Sequence, residues 1–246
     1  MTSVSPDLIR IMRAARHIAV LTGAGVSAES GIPTFRDAQT GLWAQYRPED
    51  LATPEAFERN PKLVWDWYAW RQELVRRSQP NPGHYALIQL QQHVPCFKLI
   101  TQNVDGLHQM AGSTDVIELH GNIMRARCSI EDTVIDRWLN TDETPPRCPR
   151  CGAHLRPDVV WFGELLPPKA IEAARQAANT CDVFFSVGTS SLVEPAASLA
   201  RVASQHGAVV VEVNLTTTPL TSRATFALQG ASGEILPVLI KAAWPG

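Results

Sequence analysis

Apolar positions recur along this chain at two periods, and the change from one to the other marks out its elements. After Ser5, a natural helix cap, and Pro6, suited to the first helical position, the residues Leu8, Ile9, Ile11, Met12 and Ala15 repeat at helical spacing. His17 to Thr22 is a short apolar run of strand length that leads straight into Gly23-Ala24-Gly25. A helical pattern over 84–93 precedes a buried strand over 97–101 and a further short strand over 116–120. Beyond residue 157 the pattern predicts helices over 170–180, 195–206 and 233–243, with strands over 182–187, 209–213 and 224–228. Short apolar strands separated by helices of roughly 10–15 residues imply βαβ units and a parallel sheet.

Two stretches interrupt this rhythm. Residues 41–79 are rich in Trp, Tyr and Phe and are punctuated by Pro48, Pro54 and Pro61, which predicts several short helices. Residues 125–157 hold few large apolar side chains, three cysteines and four prolines. The expected architecture is therefore α/β. Residues 1–40, 80–124 and 158–246 form a Rossmann-like domain with a parallel sheet. Residues 41–79 form a helical excursion, and residues 125–157 a small metal-binding module.

Composition narrows the partners. A chain of 246 residues fits one large domain, or one domain with a small insert. Apolar residues make up 45%, enough for a real core, and the net charge of −2 gives no general reason to bind nucleic acid or an anionic membrane. No apolar run approaches the roughly 20 residues that cross a bilayer. The first 16 residues alternate apolar and charged side chains and lack the apolar stretch of a secretory leader, so the expected compartment is a reducing cytoplasm. Five cysteines, an odd number, then suggest metal binding or burial rather than a disulfide framework. Cys96 and Cys181 adjoin strands and are expected to be buried packing residues. The oligomeric state is not set by the sequence, and a monomer is compatible with it.

Several residue patterns carry chemistry. Gly23-Ala24-Gly25-Val26-Ser27-Ala28 follows the first strand and has the form G-x-G-x-x-A. Such a turn lets the backbone approach a pyrophosphate at a helix N-terminus, although it also describes a plain tight turn. The acidic residue that an ordinary dehydrogenase carries about 20 positions later is missing. Tyr68 and Arg71 stand three apart on one helix face, where a guanidinium fork and a phenol could grip a carboxylate. The same pattern also describes a packing helix with a surface arginine. Cys148-Pro149-Arg150-Cys151-Gly152 is half of a zinc knuckle, with Cys128 upstream.

Longer motifs join these patterns. The run from Gly23 to Arg36, the run from Thr101 to His108, the triplet Leu119-His120-Gly121, and the segments Val159 to Glu164 and Gly188 to Ser191 resemble the signatures of sirtuins, the NAD-dependent protein deacylases. They lie in the expected order over almost the whole chain. The resemblance implies NAD as cofactor and His120 as general base, a role suited to imidazole. It implies an NAD site that begins with Gly23, Ala24, Gly25, Ser27, Ala28, Glu29 and Ser30. Ile32 and Phe35 would wall the pocket, with Phe35 shielding the nicotinamide, while Arg36 and Trp43 lie nearby. Gln102, Asn103, Val104 and Asp105 would hold the ribose and carboxamide, and Gly188, Thr189 and Ser190 the phosphates and ribose. Asn214, Leu215, Thr216 and Ala231 would face the adenosine end.

The resemblance also assigns the substrate side. Tyr68 and Arg71 look like the Tyr-x-x-Arg motif of the sirtuin branch that removes succinyl, malonyl or glutaryl groups from lysine. Ala52 matches the small residue that widens that branch's acyl pocket. Phe162, Gly163 and Glu164 resemble a segment that pairs with an extended peptide. Sirtuins usually bring two C-x-x-C pairs to one structural zinc, but here Glu131 stands where the fourth cysteine would be. Cys128, Cys148 and Cys151 then take a fourth ligand, with Glu131 ahead of Asp132 and His154, or hold the metal weakly or not at all. The implied partners are acylated-lysine proteins or peptides, and the implied products nicotinamide, lysine and 2′-O-acyl-ADP-ribose. A plain deacetylase, an ADP-ribosyltransferase and a silent NAD-binding module are the alternatives, the last opposed by an intact His120 and Asn103.

Overall fold

A computed structural model describes residues 4–33, 45–135 and 143–245. The chain opens with helix α1 (Pro6–Ala14), strand β1 (His17–Thr22) and the single-turn helix α2 (Ala24–Ala28). The first excursion folds as α3 (Pro48–Leu51), α4 (Pro54–Arg59) and α5 (Pro61–Arg77). A proline opens each of them, as the sequence suggests, and the side chains of Thr53 and Asn60 cap the last two. Helix α6 (Pro82–His93), strand β2 (Cys96–Thr101), helix α7 (Leu107–Ala111) and strand β3 (Val116–Glu118) follow. Strands β4 (Gly121–Cys128), β5 (Val134–Ile135) and β6 (Leu155–Val159) come next. The chain closes with α8 (Pro168–Thr180), β7 (Val183–Val187), α9 (Ser198–Gln205), β8 (Val209–Asn214), β9 (Phe226–Gln229) and α10 (Ser232–Ala243).

Six strands form one parallel sheet in the order β3-β2-β1-β7-β8-β9. This is the Rossmann order, with the topological switch point between β1 and β7. Alternate residues of β1 explain why the sheet is buried on both faces. Ile18 and Val20 pack with Leu8, Met12, Leu87, Leu236 and Leu239 of α1, α6 and α10. Ala19 and Leu21 point the other way, onto Ala174, Ala177, Leu199 and Ala203 of α8 and α9. The last strand begins two residues later than its apolar pattern suggests, because the Thr225 N–H and hydroxyl are already engaged by Val210 outside the ladder.

Strands β5, β4 and β6 form a separate antiparallel sheet that reaches from Gly121 to Val159. The helical excursion lies against it. Leu51, Phe57, Val64, Trp67 and Tyr68 share one core with Ile123, Val159 and Trp161. Trp65 of α5 also packs against the cluster of Ala126, Cys128 and Leu155, so the two interruptions of the α/β rhythm pack on each other. Among the described residues, no helix is long and apolar enough to cross a membrane. Cys181 is buried as expected, but Cys96 is exposed, because β2 enters the core only along its length: Phe97 and Lys98 are half-buried, and Leu99, Ile100 and Thr101 are buried.

Candidate active site

The C-terminal ends of β1, β2 and β7 converge on a cavity of about 580 Å³ at the switch point. Its floor is made where two loops meet backbone to backbone. Gly23 N–H donates to the Val187 carbonyl at 3.0 Å, and Gly25 N–H donates to the Gly188 carbonyl at 2.8 Å. A Cβ on Gly25 would lie 2.8 Å from the Gly188 Cα. These glycines are therefore needed for loop-on-loop approach, and their N–H groups are spent inside the protein rather than offered to an anion. Helix α2 itself is only five residues long.

Hydrogen bonds fix the next layer. Ser27 Oγ donates to Asp105 Oδ2 at 2.7 Å, and Asn103 Nδ2 donates to both the Gly23 carbonyl and Ser27 Oγ at 3.0 Å. Asp105 Oδ1 accepts from the Leu107 N–H at the start of α7. Burial raises the Asp105 pKa, against the opposing pull of Leu107, Ser27 and the Arg71 charge. Beneath Asn103 runs a buried chain. Thr101 Oγ1 accepts from the Asn103 N–H at 3.0 Å and from Thr22 Oγ1 at 2.8 Å, and His108 Nε2 lies 2.9 Å from that Thr22 oxygen.

His120 lines the same cavity, and its Nδ1 is 2.9 Å from the carbonyl oxygen of Gln102. Burial lowers its pKa below the ordinary value, and the Gln102 hydrogen bond offsets this only in part.

On the opposite wall stand Ala52, Tyr68 and Arg71. The Tyr68 hydroxyl accepts from Trp161 Nε1–H at 3.0 Å, and burial pushes the phenol pKa up to about 12. The Arg71 guanidinium lies 5.0 Å from the Trp67 ring centroid. The Phe162 N–H donates to the Ala52 carbonyl, tying the two substrate segments together, and Phe162 and Gly163 sit at the rim. Glu164 also borders the cavity, but its carboxylate is gripped by Arg156 and by the Trp161 N–H. Burial would raise its pKa, yet these bonds and the Arg156 charge outweigh it and hold the carboxyl below its usual range.

The sequence-derived NAD set divides in three. Gly23, Ala24, Gly25, Ser27, Ile32, Gln102, Asn103, Val104, Asp105, Gly188, Thr189 and Ser190 line the cavity. Ala28, Glu29, Ser30, Asn214, Leu215, Thr216 and Ala231 stand outside it. Glu29 Oε2 accepts from Ser232 Oγ and the Gly233 N–H at 2.8 Å, so this carboxylate caps α10. Ser30 Oγ accepts from Asn81, and Asn214 Nδ2 donates to the Thr189 carbonyl at 2.7 Å, bracing the β7 loop from behind. Phe35, Arg36 and Trp43 lie outside the described residues. Sequence reasoning gave Trp161 and Arg156 no separate role. The signal available was that a buried indole N–H needs an acceptor.

A second cluster lies in the small sheet. Ligand atoms of Cys128, Glu131, Cys148 and Cys151 all lie within 4.8 Å of one another, and the Cys128 and Cys151 sulfurs are 3.4 Å apart. Three thiols and a carboxylate converging this tightly fit a tetrahedral zinc. Asp132 instead pairs with Arg127 at 2.7 Å, and His154 is not in the cluster. Glu131 Oε2 also lies 3.1 Å from Arg150 Nε.

Comparison with known proteins places this geometry in context. Residues 23–195 match the profile of the Sir2 family. An NAD-dependent protein deacylase of Methylococcus capsulatus is 51% identical over 97% of this chain and 96% of its own length. NAD-dependent protein deacylase 1 of Pseudomonas aeruginosa is 48% identical over 97% and 99%. The structure of a Sir2 homologue in complex with NAD aligns with a TM-score of 0.90 at 43% identity, covering 98% of this chain and 94% of that one. A Sir2 complex with a p53 peptide and NAD+ aligns at 0.84 and 29%, covering 97% and 98%.

Proposed function

Since this chain belongs to the Sir2 family and is an NAD-dependent protein deacylase, we propose that it prefers lysines whose acyl group ends in a carboxylate: succinyl, malonyl or glutaryl. One observation carries the reading. Ala52, Tyr68 and Arg71 face the same cavity as His120. Burial lowers the Arg71 pKa, with Tyr68 and Asp105 pulling the other way; a carboxylate arriving beside it favours the charged guanidinium, and the neutral Tyr68 phenol can donate next to it. An acyl-lysine entering past Phe162 would bring its terminal carboxylate to this pair, with its carbonyl nearer His120. A peptide is the ligand of the related p53-peptide complex, and an extended peptide would suit the rim in the same way.

NAD supplies the ribose carbon that the acyl oxygen attacks and the nicotinamide that leaves. The residues of the chain bind, orient and exclude water. In this reading Asn103, pinned by Gly23 and Ser27, and Asp105, pinned by Ser27 and Leu107, orient the nicotinamide ribose. His120 accepts a ribose hydroxyl proton at Nε2. The apolar walls, including Ile32, Ile123 and Val159, keep water from the reacting carbon. The test is kcat/KM on one peptide carrying acetyl-, malonyl-, succinyl- or glutaryl-lysine. The reading expects the acidic acyl groups to lead, and acetyl-lysine ahead of all three overturns it.

A further inference from the structure

Trp161 lines the cavity and is held on several sides. It is 3% exposed, with the Arg156 guanidinium 3.5 Å above its ring centroid and the Phe57 ring 5.4 Å away. Its backbone N–H donates to Glu164 Oε2 at 2.8 Å, and that carboxylate takes both terminal nitrogens of Arg156. A further Arg156 bond to the Val159 carbonyl ties the same group to β6. The ring is thus clamped from above by a cation and at its own backbone by the counter-ion of that cation.

This clamp aims the indole. Trp161 Nε1–H is only a donor, and it points at the Tyr68 hydroxyl at 3.0 Å. A phenol has one proton. With one lone pair of Tyr68 committed to Trp161, the Tyr68 proton must turn away from Trp161, and the open direction is the cavity that Tyr68 lines. Among the described residues that proton has no acceptor. Accepting a hydrogen bond also polarises the phenol into a stronger donor. We propose that Trp161 is the positioning residue for acyl selectivity, holding Tyr68 as a one-way donor toward the terminal carboxylate of the acyl group. The inference rests on the acidic-acyl reading above and adds the element that sets it.

The experiment compares the ratio of kcat/KM for succinyl- over acetyl-lysine in wild type, Trp161→Phe, Tyr68→Phe and the double variant. Phenylalanine keeps a ring under Arg156 but loses the N–H and the second ring of the indole, and the acetyl-lysine rate reports the packing lost with that ring. Losing the contribution of one neutral hydrogen bond lowers the ratio about 2–10-fold in Trp161→Phe. The loss should appear in KM for succinyl-lysine. In the Tyr68→Phe background the second change should not lower the ratio further, because the group that Trp161 orients is gone. A wild-type ratio below one for succinyl-, malonyl- and glutaryl-lysine alike overturns the acidic-acyl reading and this inference with it. A high wild-type ratio that Trp161→Phe leaves intact, or equal losses on both substrates, overturns this inference alone. Should Trp161→Phe not fold, wild-type enzyme labelled with 15N at its indoles decides. The Trp161 Nε1–H resonance, assigned through the proximity of its ring to Phe57 and Arg156, should shift with succinyl-lysine peptide and stay in place with acetyl-lysine peptide. Equal shifts overturn the proposal.

Discussion

His120 and Gln102 share one hydrogen bond that decides the chemistry of the imidazole. The Gln102 carbonyl oxygen, 2.9 Å from His120 Nδ1, can only accept. Nδ1 therefore carries the proton, and Nε2 keeps the lone pair a general base needs. Burial lowers the His120 pKa below its ordinary 6.5, so the base form persists into mildly acidic solution. The acid limb of the kcat/KM profile should accordingly have its midpoint below pH 6.5. His120→Ala should lower turnover by about 10²–10⁴-fold and leave NAD binding largely intact. Turnover near the wild-type value, or an acid limb centred above pH 6.5, would rule out this role.

Arg71 offers a sharper separation of roles. A hydrogen bond to a charged partner contributes about 1.5–3 kcal/mol, so Arg71→Met should raise KM for succinyl-lysine roughly 10–150-fold. Acetyl-lysine has no carboxylate to lose, and its turnover should change far less. Parallel titrations of both peptides check this, and equal losses would make Arg71 a structural residue held by Trp67.

The sequence announced these two residues more clearly than it announced their support. Strands such as β1 and β7 were legible because alternate residues feed two buried faces. The prolines at 48, 54 and 61 divided the excursion into short helices, since Pro tolerates only the first turn, whereas Pro82 opens a helix that the apolar pattern starts only at residue 84. Motif spacing brought Gly23, Asn103, His120 and Gly188 to one cavity. Glu29 was not legible in the same way: its neighbours in sequence line the cavity, but its carboxylate reaches a helix start more than 200 residues away. Nor was the Trp161–Tyr68 bond, which crosses from the segment after β6 to the helical excursion. A contact between side chains 93 positions apart, one of them in an interruption of the pattern, leaves no periodic trace.

The metal cluster makes a prediction about ligand hardness. Glu131 is a harder donor than the thiolate it replaces, and Arg150, 3.1 Å away, competes for its carboxylate. Protein purified without chelator should carry about one zinc per chain, since one tetrahedral set is present. It should lose that zinc to a chelator faster than Glu131→Cys does, and Arg150→Ala should retain it longer than wild type. Chelation should loosen the small sheet, because metal binding there is folding energy. Elemental analysis with a timed chelator challenge checks each point. A folded, active enzyme with no zinc would show that packing alone holds the module.

A buried pair of histidines makes the last prediction, one about stability. The rings of His84 and His108 lie 4.8 Å apart, and His84 Nε2 and His108 Nδ1 are buried with no hydrogen-bond partner among the described residues. Burial pushes the His84 pKa down to about 4, and burial reinforced by the charge of His84 pushes His108 down to about 3. Both folded values lie below the unfolded value near 6.5, so both rings are neutral in the native protein. The unfolded chain gains protons first as the pH falls, and stability must drop from pH 6.5 toward 4. At pH 5 the span of 1.5 pH units below 6.5 corresponds to at most about 2 kcal/mol per ring. Thermal melts should thus show a Tm that is flat above pH 7 and declines steadily on acidification. His84→Gln should flatten that decline even where it lowers Tm at pH 7, because glutamine does not titrate. His108→Gln should do the same. It should also disturb Thr22 and, through Thr101, the Asn103 backbone, so this variant alone should lose NAD affinity. A decline of equal slope in wild type and both variants would mean that carboxylates, not this pair, govern the acid limb.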